Sequence, residues 1–175
     1  MSARTLAKTD IERLLSELSS HLEAMNVRGE LYLVGGAVMC LVHEARPATR
    51  DLDAFFRPAK QLRVAAAKVA AHNDLPESWL NDAVKGFFSE HGTFTAYAEL
   101  DHLVVYVASP EYLLAMKCLS ARIGEEFHDI DDIRYLLRYL NLTRAVDAKK
   151  ILERYYPLDR FPQKTLYLLD EILNG

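Results

Sequence analysis

Residues 31–53 of the chain read LYLVGGAVMCLVHEARPATRDLD. Four apolar residues open the stretch and end at Gly35 and Gly36, a pattern typical of a buried strand that stops at a tight turn. Asp51 and Asp53 follow sixteen and eighteen residues after Gly35. Alternate residues of a strand point to the same side, so a second strand would carry both carboxylates on one face. The stretch therefore predicts two strands joined by a short helix over residues 37–44 and a loop over residues 46–50.

These residue types suit the handling of a triphosphate. Glycines directly after a strand let the backbone approach phosphate closely, and the amino end of the next helix adds a favourable dipole. Two carboxylates on one face can hold Mg²⁺, which prefers oxygen ligands and often uses one or two carboxylates with phosphate oxygens. Gly35 and Gly36 are therefore candidates for binding a nucleoside triphosphate (NTP), and Asp51 and Asp53 are candidate metal ligands.

The rest of the chain predicts an α+β protein, with a small mixed β-sheet, flanking helices and a helical C-terminal half. A Thr9–Glu12 capping box opens the first predicted helix, which runs to about residue 25. Further helices are expected over 60–72, 109–123, 129–140, 143–155 and 161–173, and strands over 93–99 and 103–107. We expect a core over residues 1–108 and a helical region over residues 109–175 that packs on it.

Composition excludes several classes of protein. Half of the 175 residues are hydrophobic and the formal charge is −4, so neither a disordered chain nor a dedicated duplex-DNA binder is expected. Cys40 and Cys118 lie in apolar helical contexts and predict buried thiols in a reducing compartment. No apolar run approaches membrane-spanning length, and the amino terminus lacks the apolar core of a signal peptide. We expect a cytoplasmic protein without membrane contact.

The stretch resembles the polymerase-β-type nucleotidyltransferase superfamily. Members carry Gly-Gly or Gly-Ser, then Arg-x-x-Thr-x-Asp-x-Asp, and this chain has Arg46 and Thr49 in the required places before Asp51 and Asp53. The closest resemblance is to the small bacterial branch of AbiEii-like toxins and related uncharacterised proteins, and the aminoglycoside nucleotidyltransferases are more distant. The resemblance implies a nucleotidyltransferase fold in which Thr49 supports the phosphates and Arg46 braces the loop.

A second block, residues 107–133, resembles the segment that brings a lysine into the active site of the AbiEii-like branch, with an acidic residue on the next helix. Lys117 occupies the position of that lysine, and Asp129 and Asp132 are the candidate acids. A compact ammonium charge suits triphosphate oxygens. The resemblance thus implies catalytic roles for Asp51, Asp53, Lys117 and Asp129, whereas a lysine on the polar side of an apolar helix is the ordinary alternative.

A third carboxylate, which completes the metal site in catalytic members of the superfamily, is expected on the strands between residues 94 and 107. Glu99 and Asp101 are the acids there, and both have the sequence context of turn residues. Without a third acid, the site could hold fewer metal ions, use another base, or bind nucleotide without turnover.

The resemblance implies a Mg²⁺-dependent nucleotidyltransferase that moves a nucleoside monophosphate from an NTP to a hydroxyl of a tRNA, a protein or a small molecule. A toxin that acts beside a cognate antitoxin is the partner arrangement found in this branch. The alternative is a nucleotide-binding or partner-binding module whose chemistry has lapsed, which the missing third acid favours and the intact Arg46, Thr49, Asp51 and Asp53 disfavour.

Other patterns are weaker. The pair His128-Asp129, with His102 and Asp147, admits a metal phosphohydrolase of the HD type, although no spacing requires it. The remaining histidines, His21, His43, His72 and His91, show no ligand spacing and are expected to be exposed. No Walker A sequence and no Gly-x-Gly-x-x-Gly fingerprint occurs. A basic, tyrosine-containing C-terminal region could receive RNA, or could be a solvated helix surface with aromatic core anchors: Arg134, Arg138, Arg144, Lys149, Lys150, Arg154, Tyr135, Tyr139, Tyr155 and Tyr156.

Overall fold

A computed structural model describes residues 4–121 and 129–174 of the chain. Those residues form seven α-helices with a mixed β-sheet, which confirms the predicted α+β class. Within these two ranges, no helix combines the length and the apolar character that a membrane span requires. The chain divides into two compact units, one of residues 1–86 and 94–108, and the other of residues 87–93 and 109–175.

The first unit contains three helices and all the strands. The elements are β1 (Leu6–Ala7), α1 (Lys8–Ala24), β2 (Gly29–Val34), α2 (Gly36–Leu41), β3 (Ala48–Thr49), β4 (Leu52–Arg57), α3 (Ala59–Asn73), β5 (Leu80–Asn81), β6 (Phe94–Glu99) and β7 (Leu103–Ala108). The segment after α3 comprises a 3-10 turn (Glu77–Trp79), the short strand β5 and a second 3-10 turn that begins at Ala83.

Five strands form a mixed sheet in the order β5-β4-β2-β7-β6. β4 runs antiparallel to β2 and parallel to β5, whereas β7 runs parallel to β2 and antiparallel to β6. A separate two-stranded ribbon joins β1 to β3, with Leu6 opposite Thr49 and Ala7 opposite Ala48. The ribbon fastens the loop before β4 to the start of the chain.

Helices α1 and α3 cover one face of the sheet. A β-carbon added at Gly29 would lie 2.8 Å from Leu62 of α3 and 3.0 Å from Leu22 of α1, so both helices pack closely against the start of β2. Leu31, Leu33, Ala54, Phe56, Val105 and Val107 are buried on this face. The alternate residues of the same strands form the opposite face, which is less deeply buried and which we call the open face.

The first helix begins earlier than the Thr9–Glu12 capping box predicted. Its N-cap is Ala7, and Asp10 accepts a hydrogen bond from the Ala7 amide at 2.9 Å. Asp10 is three residues after the cap, which is the position from which a side chain reaches back to the N-cap amide. Pairing of Leu6 and Ala7 with β3 fixes the extended backbone up to the cap, and a start at Lys8 follows.

The second unit is helical. It contains α4 (Pro110–Ser120), α5 (Asp129–Tyr139), α6 (Ala145–Glu153), a 3-10 turn (Leu158–Arg160) and α7 (Gln163–Asn174). Ser109 caps α4 by accepting a hydrogen bond from the Tyr112 amide at 3.2 Å, as its sequence context predicts. The buried side chains include Tyr112, Leu114, Cys118, Ile133, Leu137, Leu152 and Tyr156.

Candidate functional site

Gly35 and Gly36 form a sharp turn between β2 and α2. Gly35 has φ +67°, a conformation that residues with a side chain rarely adopt, so glycine is required there by the backbone itself. Gly36 has little free space beside it, because an added β-carbon would lie 2.8 Å from Arg46 Nη1 and 3.0 Å from Thr49 Oγ1. Helix α2 has only six residues, so the expected dipole contribution is small and close backbone approach is the stronger argument for a phosphate cradle.

Asp51 and Asp53 flank the first residue of β4. Leu52 between them is fully buried, whereas both aspartates keep part of their surface exposed. Asp53 pairs with Val34, the last residue of β2, and a β-carbon added at Gly35 would lie 3.5 Å from Asp53 Oδ2. The glycine turn and the carboxylate of Asp53 are therefore neighbours, as the sequence pattern predicts.

Arg46 and Thr49 lie against the same turn. The two side chains bracket Gly36 at the distances given above, and the Thr49 hydroxyl donates a hydrogen bond to the Asp51 carbonyl oxygen at 3.2 Å. Thr49 is buried, and its backbone is paired with Leu6. The structure thus brings all six residues of the first sequence block together: Gly35, Gly36, Arg46, Thr49, Asp51 and Asp53.

Glu99 and Asp101 lie at the opposite end of the sheet from Asp53. Glu99 pairs with Val104, which also pairs with Glu30 of β2, whereas Asp53 pairs with Val34. Glu30 and Val34 are four residues apart on β2, which corresponds to about 13 Å along the strand at about 3.3 Å per residue. Glu99 instead forms an exposed ion pair with Arg28 at 2.9 Å. Neither acid can complete a site at Asp53.

A residue that the sequence did not single out lies beside Asp53. Asn81 of β5 pairs with Asp53 across parallel strands, and Leu80 pairs with Leu52. Directly opposed residues point to the same face, so the Asn81 amide is on the side of the Asp53 carboxylate. Strand β5 has only two residues and lies between two turns. Its strand signal in the sequence is therefore too weak to identify Asn81 as a neighbour of Asp53.

An aromatic row crosses the open face one pleat away from Asp53. Phe55, Tyr32 and Tyr106 are register partners on β4, β2 and β7. The rings of Tyr32 and Tyr106 stack with centroids 4.7 Å apart, and the ring of Phe55 lies 6.0 Å from that of Tyr32. Phe55 is 38% exposed. Phe55 lies two residues from Asp53, and Tyr32 lies two residues from Val34, so each pair shares one face of its strand. This two-residue spacing is the sequence signal that could have indicated the row.

Charged groups border the row on the side away from Asp53. The Arg57 guanidinium lies 5.6 Å from the Tyr32 ring centroid, and Arg57 Nε donates a hydrogen bond to Glu30 Oε2 at 2.7 Å. The Tyr32 hydroxyl donates to the same Glu30 oxygen, also at 2.7 Å. Burial raises the pKa of Tyr32, and acceptance of the hydrogen bond by Glu30 adds to that effect. The Tyr32 ring is therefore held in a fixed orientation.

The second unit contains a buried ion triad. Lys117 Nζ lies 3.1 Å from Asp129 Oδ1 and 2.8 Å from Asp132 Oδ2, and the three side chains are 11%, 6% and 4% exposed, respectively. The lysine of α4 and both candidate acids of α5 are therefore brought together. Charges in a poorly hydrated position are costly unless each has a partner, and here the ammonium contacts both carboxylates.

The C-terminal basic region is only partly suited to stacking bases. Tyr155 and Tyr156 are 7% and 2% exposed and belong to the core of the second unit, so they cannot stack on RNA bases. Lys149 forms an ion pair with Asp170 at 2.9 Å. Tyr139 remains exposed, and its ring stacks on Tyr135. The aromatic part of the RNA hypothesis is reduced to these two tyrosines.

The structure describes three residues of the phosphohydrolase alternative, His102 in the first unit and Asp129 and Asp147 in the second. His128 lies outside the described residues. His102 approaches the Val27 carbonyl oxygen through Nδ1 at 3.1 Å. Asp147 lies in the first turn of α6, where a carboxylate is favoured by the helix dipole.

Both cysteines are free and buried, as predicted. Burial raises the pKa of Cys118 to about 12 and also raises the pKa of Cys40. Thiols of this kind are poor nucleophiles at neutral pH. Cysteine-based catalysis is therefore disfavoured in this chain.

Comparison with known proteins finds no matching family model, no matching curated protein and no matching solved structure. The functional argument consequently depends on the arrangement of this chain's own residues.

Proposed function

We propose that the chain is a nucleotidyltransferase that binds an NTP with Mg²⁺ at the Gly35-Gly36 turn and the start of β4. The observation that carries the proposal is the neighbourhood of the turn and the Asp53 carboxylate, which are separated in sequence by the whole of α2 and its loop. A tight glycine turn beside paired carboxylates offers a triphosphate close backbone contact and a metal ion hard oxygen ligands.

The donor set fits Mg²⁺. Asp51 and Asp53 supply carboxylate oxygens, and the amide oxygen of Asn81 is a further hard donor on the same face as Asp53. When bound, Mg²⁺ neutralises triphosphate charge and polarises the phosphorus under attack. In the proposed reaction, an acceptor hydroxyl oxygen bonds to the α-phosphorus and its proton passes to water. The bond from the α-phosphorus to the oxygen that bridges it to the β-phosphorus breaks, and pyrophosphate leaves with the electron pair of that bond.

Other residues of the chain would bind the phosphates and take part in catalysis. Gly35 and Gly36 would admit the phosphates to the backbone, and the Arg46 guanidinium and the Thr49 hydroxyl beside Gly36 would hold them by charge and hydrogen bonding. Lys117 and Asp129 keep the catalytic roles that the family resemblance suggests. Their mutual ion pair would fix the orientation of the ammonium group.

The aromatic row on the open face would receive the nucleobase. Aromatic side chains on a sheet surface stack bases of any identity, typically with about 1–3 kcal/mol per base. Phe55 is the most exposed member of the row and lies two residues after Asp53, a separation of about 7 Å along the strand. Replacement of Phe55 by Ala should raise KM for NTP more than it lowers kcat.

The acceptor is proposed to be a hydroxyl of a tRNA, a protein or a small molecule, and a cognate antitoxin is the proposed protein partner. Tyr135 and Tyr139, with the neighbouring arginines of α5, are the remaining candidates for RNA contact. Two free, buried cysteines fit a reducing, cytoplasmic compartment.

A second candidate function is nucleotide binding without turnover. Among the described residues, the register partners of Asp53 on the two neighbouring strands are Val34 and Asn81. Neither is an acid, and the lack of a third carboxylate at these positions favours binding without turnover. A site with two carboxylates would hold a triphosphate through one metal ion and lack the charge to position a second.

The decisive experiment compares two double variants of the same unit. Asp51→Asn with Asp53→Asn should abolish Mg²⁺-NTP binding in calorimetry and labelling of RNA or protein from α-³²P-NTP in a cell extract. Glu99→Gln with Asp101→Asn removes two carboxylates at the other end of the sheet and should leave both intact.

The outcomes separate the candidate functions. Labelling and pyrophosphate release that depend on Asp51 and Asp53 support transfer. Binding that depends on them, without pyrophosphate release from any of the four NTPs, supports the non-catalytic module. Equal binding by both double variants, with unchanged circular dichroism, would exclude a nucleotide site at β4.

A further inference from the structure

A cluster of metal-ligating side chains lies outside the candidate nucleotide site, on the helices that cover the sheet. Glu17 and His21 are one turn apart on α1, and His72 is in the last turn of α3. One ligand atom from each residue lies within 4.8 Å of the others. Among the described residues, it is the one group of at least three histidine, cysteine or acidic side chains whose ligand atoms lie so close together.

The three side chains already converge. His72 Nδ1 lies 3.6 Å from Glu17 Oε1, and the rings of His21 and His72 have centroids 5.2 Å apart at an angle of 41°. Three ligands of a tetrahedral zinc ion stand about 3.3 Å apart, for bonds near 2.0–2.1 Å. Small rotations would close the difference, and the His72 side chain is 62% exposed and can make them without disturbing the core.

A second layer of hydrogen bonds orients the carboxylate. Asn73 Nδ2 donates to Glu17 Oε2 at 2.5 Å, which leaves Oε1 directed toward His72. Asn73 is itself fixed, since Nδ2 also donates to the Val69 carbonyl at 2.8 Å and Oδ1 accepts from Arg13 at 2.8 Å. Such outer partners set the orientation of metal ligands and strengthen binding.

We propose that Glu17, His21 and His72 bind one divalent late first-row transition-metal ion, with Zn²⁺ as the representative. Imidazole nitrogen selects these ions over Mg²⁺ and Ca²⁺, which prefer oxygen donors. Two histidines and one glutamate provide three protein ligands, and a water molecule would complete four-coordination. The ion would join α1 to α3 on the helical side of the sheet, independently of the carboxylates of β4.

The test uses the full chain after removal of metal by a chelator. Zn²⁺ titrated by calorimetry should bind with one ion per chain, and Co²⁺ should develop the visible absorption bands of a tetrahedral site. Zn²⁺ should also raise the melting temperature, because it binds only the folded pair of helices.

Single variants assign the ligands. Glu17→Gln, His21→Ala and His72→Ala should each weaken binding by at least about tenfold, and Asn73→Ala should weaken it by a smaller factor. His91→Ala removes an exposed histidine of the other unit and should bind as the parent does. Asp51→Asn with Asp53→Asn should also retain the zinc site, which separates this ion from Mg²⁺.

Two results would overturn the proposal. One is an absence of Zn²⁺ binding and of tetrahedral Co²⁺ bands in the parent protein. The other is unchanged affinity and stoichiometry in the His21→Ala, His72→Ala double variant, with circular dichroism confirming that it is folded.

Discussion

Asp53 and Asn81 are register partners on adjacent parallel strands, with their side chains on the same face of the sheet. Asn81 therefore occupies the position from which a third carboxylate could join Asp51 and Asp53. Its side chain is instead used locally: Nδ2 donates to the Ser78 carbonyl at 3.1 Å, and Oδ1 accepts from the Ala83 amide at 3.3 Å. Because an amide oxygen has two lone pairs, Oδ1 keeps one with which it can offer the site an oxygen ligand without negative charge.

Asn81→Asp should strengthen binding of Mg²⁺ and Mn²⁺, because a third carboxylate adds charge where hard cations bind. We expect an affinity gain of about tenfold, equivalent to about 1.4 kcal/mol, measured by Mn²⁺ titration with and without NTP. Asn26→Asp adds the same charge at an exposed position near the other end of β2 and serves as the control. Equal gains in the two variants would point to general electrostatics in place of a local site.

Gly35→Ala and Gly36→Ala should have different effects. At Gly35, the φ of +67° and ψ of −146° make any side chain strained, so the free energy of unfolding should fall by about 1–3 kcal/mol. At Gly36, an added methyl group displaces the flexible end of Arg46 and crowds Thr49, so nucleotide affinity should fall more than stability. Urea denaturation and NTP calorimetry on both variants measure the two quantities. The reverse pattern would contradict the assignment.

Lys117→Met should lower the free energy of unfolding by about 3–5 kcal/mol, because it removes an ammonium group that contacts two buried carboxylates. Lys149→Met is the matched control. Its partner Asp170 is 42% exposed, and loss of such a surface pair typically changes stability by about 1 kcal/mol or less. Urea denaturation of both variants gives the comparison, and similar losses would show that the triad is hydrated.

Stability should fall as the pH drops below the unfolded pKa of histidine, about 6.5, partly because of His43. Burial lowers the pKa of His43 in the folded chain. Between the two pKa values, the unfolded chain binds the proton and the folded chain does not, so acid favours unfolding. The difference in urea midpoint between pH 7.5 and pH 5.5 should shrink in His43→Gln. The same substitution at exposed His91 is the control, and an equal decrease there would remove His43 from the explanation.

Much of the fold could be predicted because its signals are local. The apolar run ending at Gly35, the Ser109-Pro110 helix start and the helical spacing of Ile11, Leu14 and Leu18 each agree with the structure. The first site block was predictable for the same reason, since its residues lie within nineteen positions of one another.

Features that depend on tertiary pairing could not be predicted in the same way. His21 and His72 are 51 residues apart in sequence and meet because α1 packs beside α3. Asn81 was missed because β5 has only two residues. The distance of Glu99 from Asp53 depends on strand order and register, which a single sequence does not contain. Burial of Tyr155 and Tyr156 likewise follows from helix packing that spacing alone does not determine.

The pairing of Leu6 with Thr49 connects the segment before α1 to the candidate nucleotide site. Leu6 is fully buried and pairs with β3, the strand on which Thr49 lies beside Gly36. Loss of the Leu6 side chain would loosen β3 while leaving the five-stranded sheet whole. A change in the segment before α1 would thus alter the candidate site without replacing any of its residues.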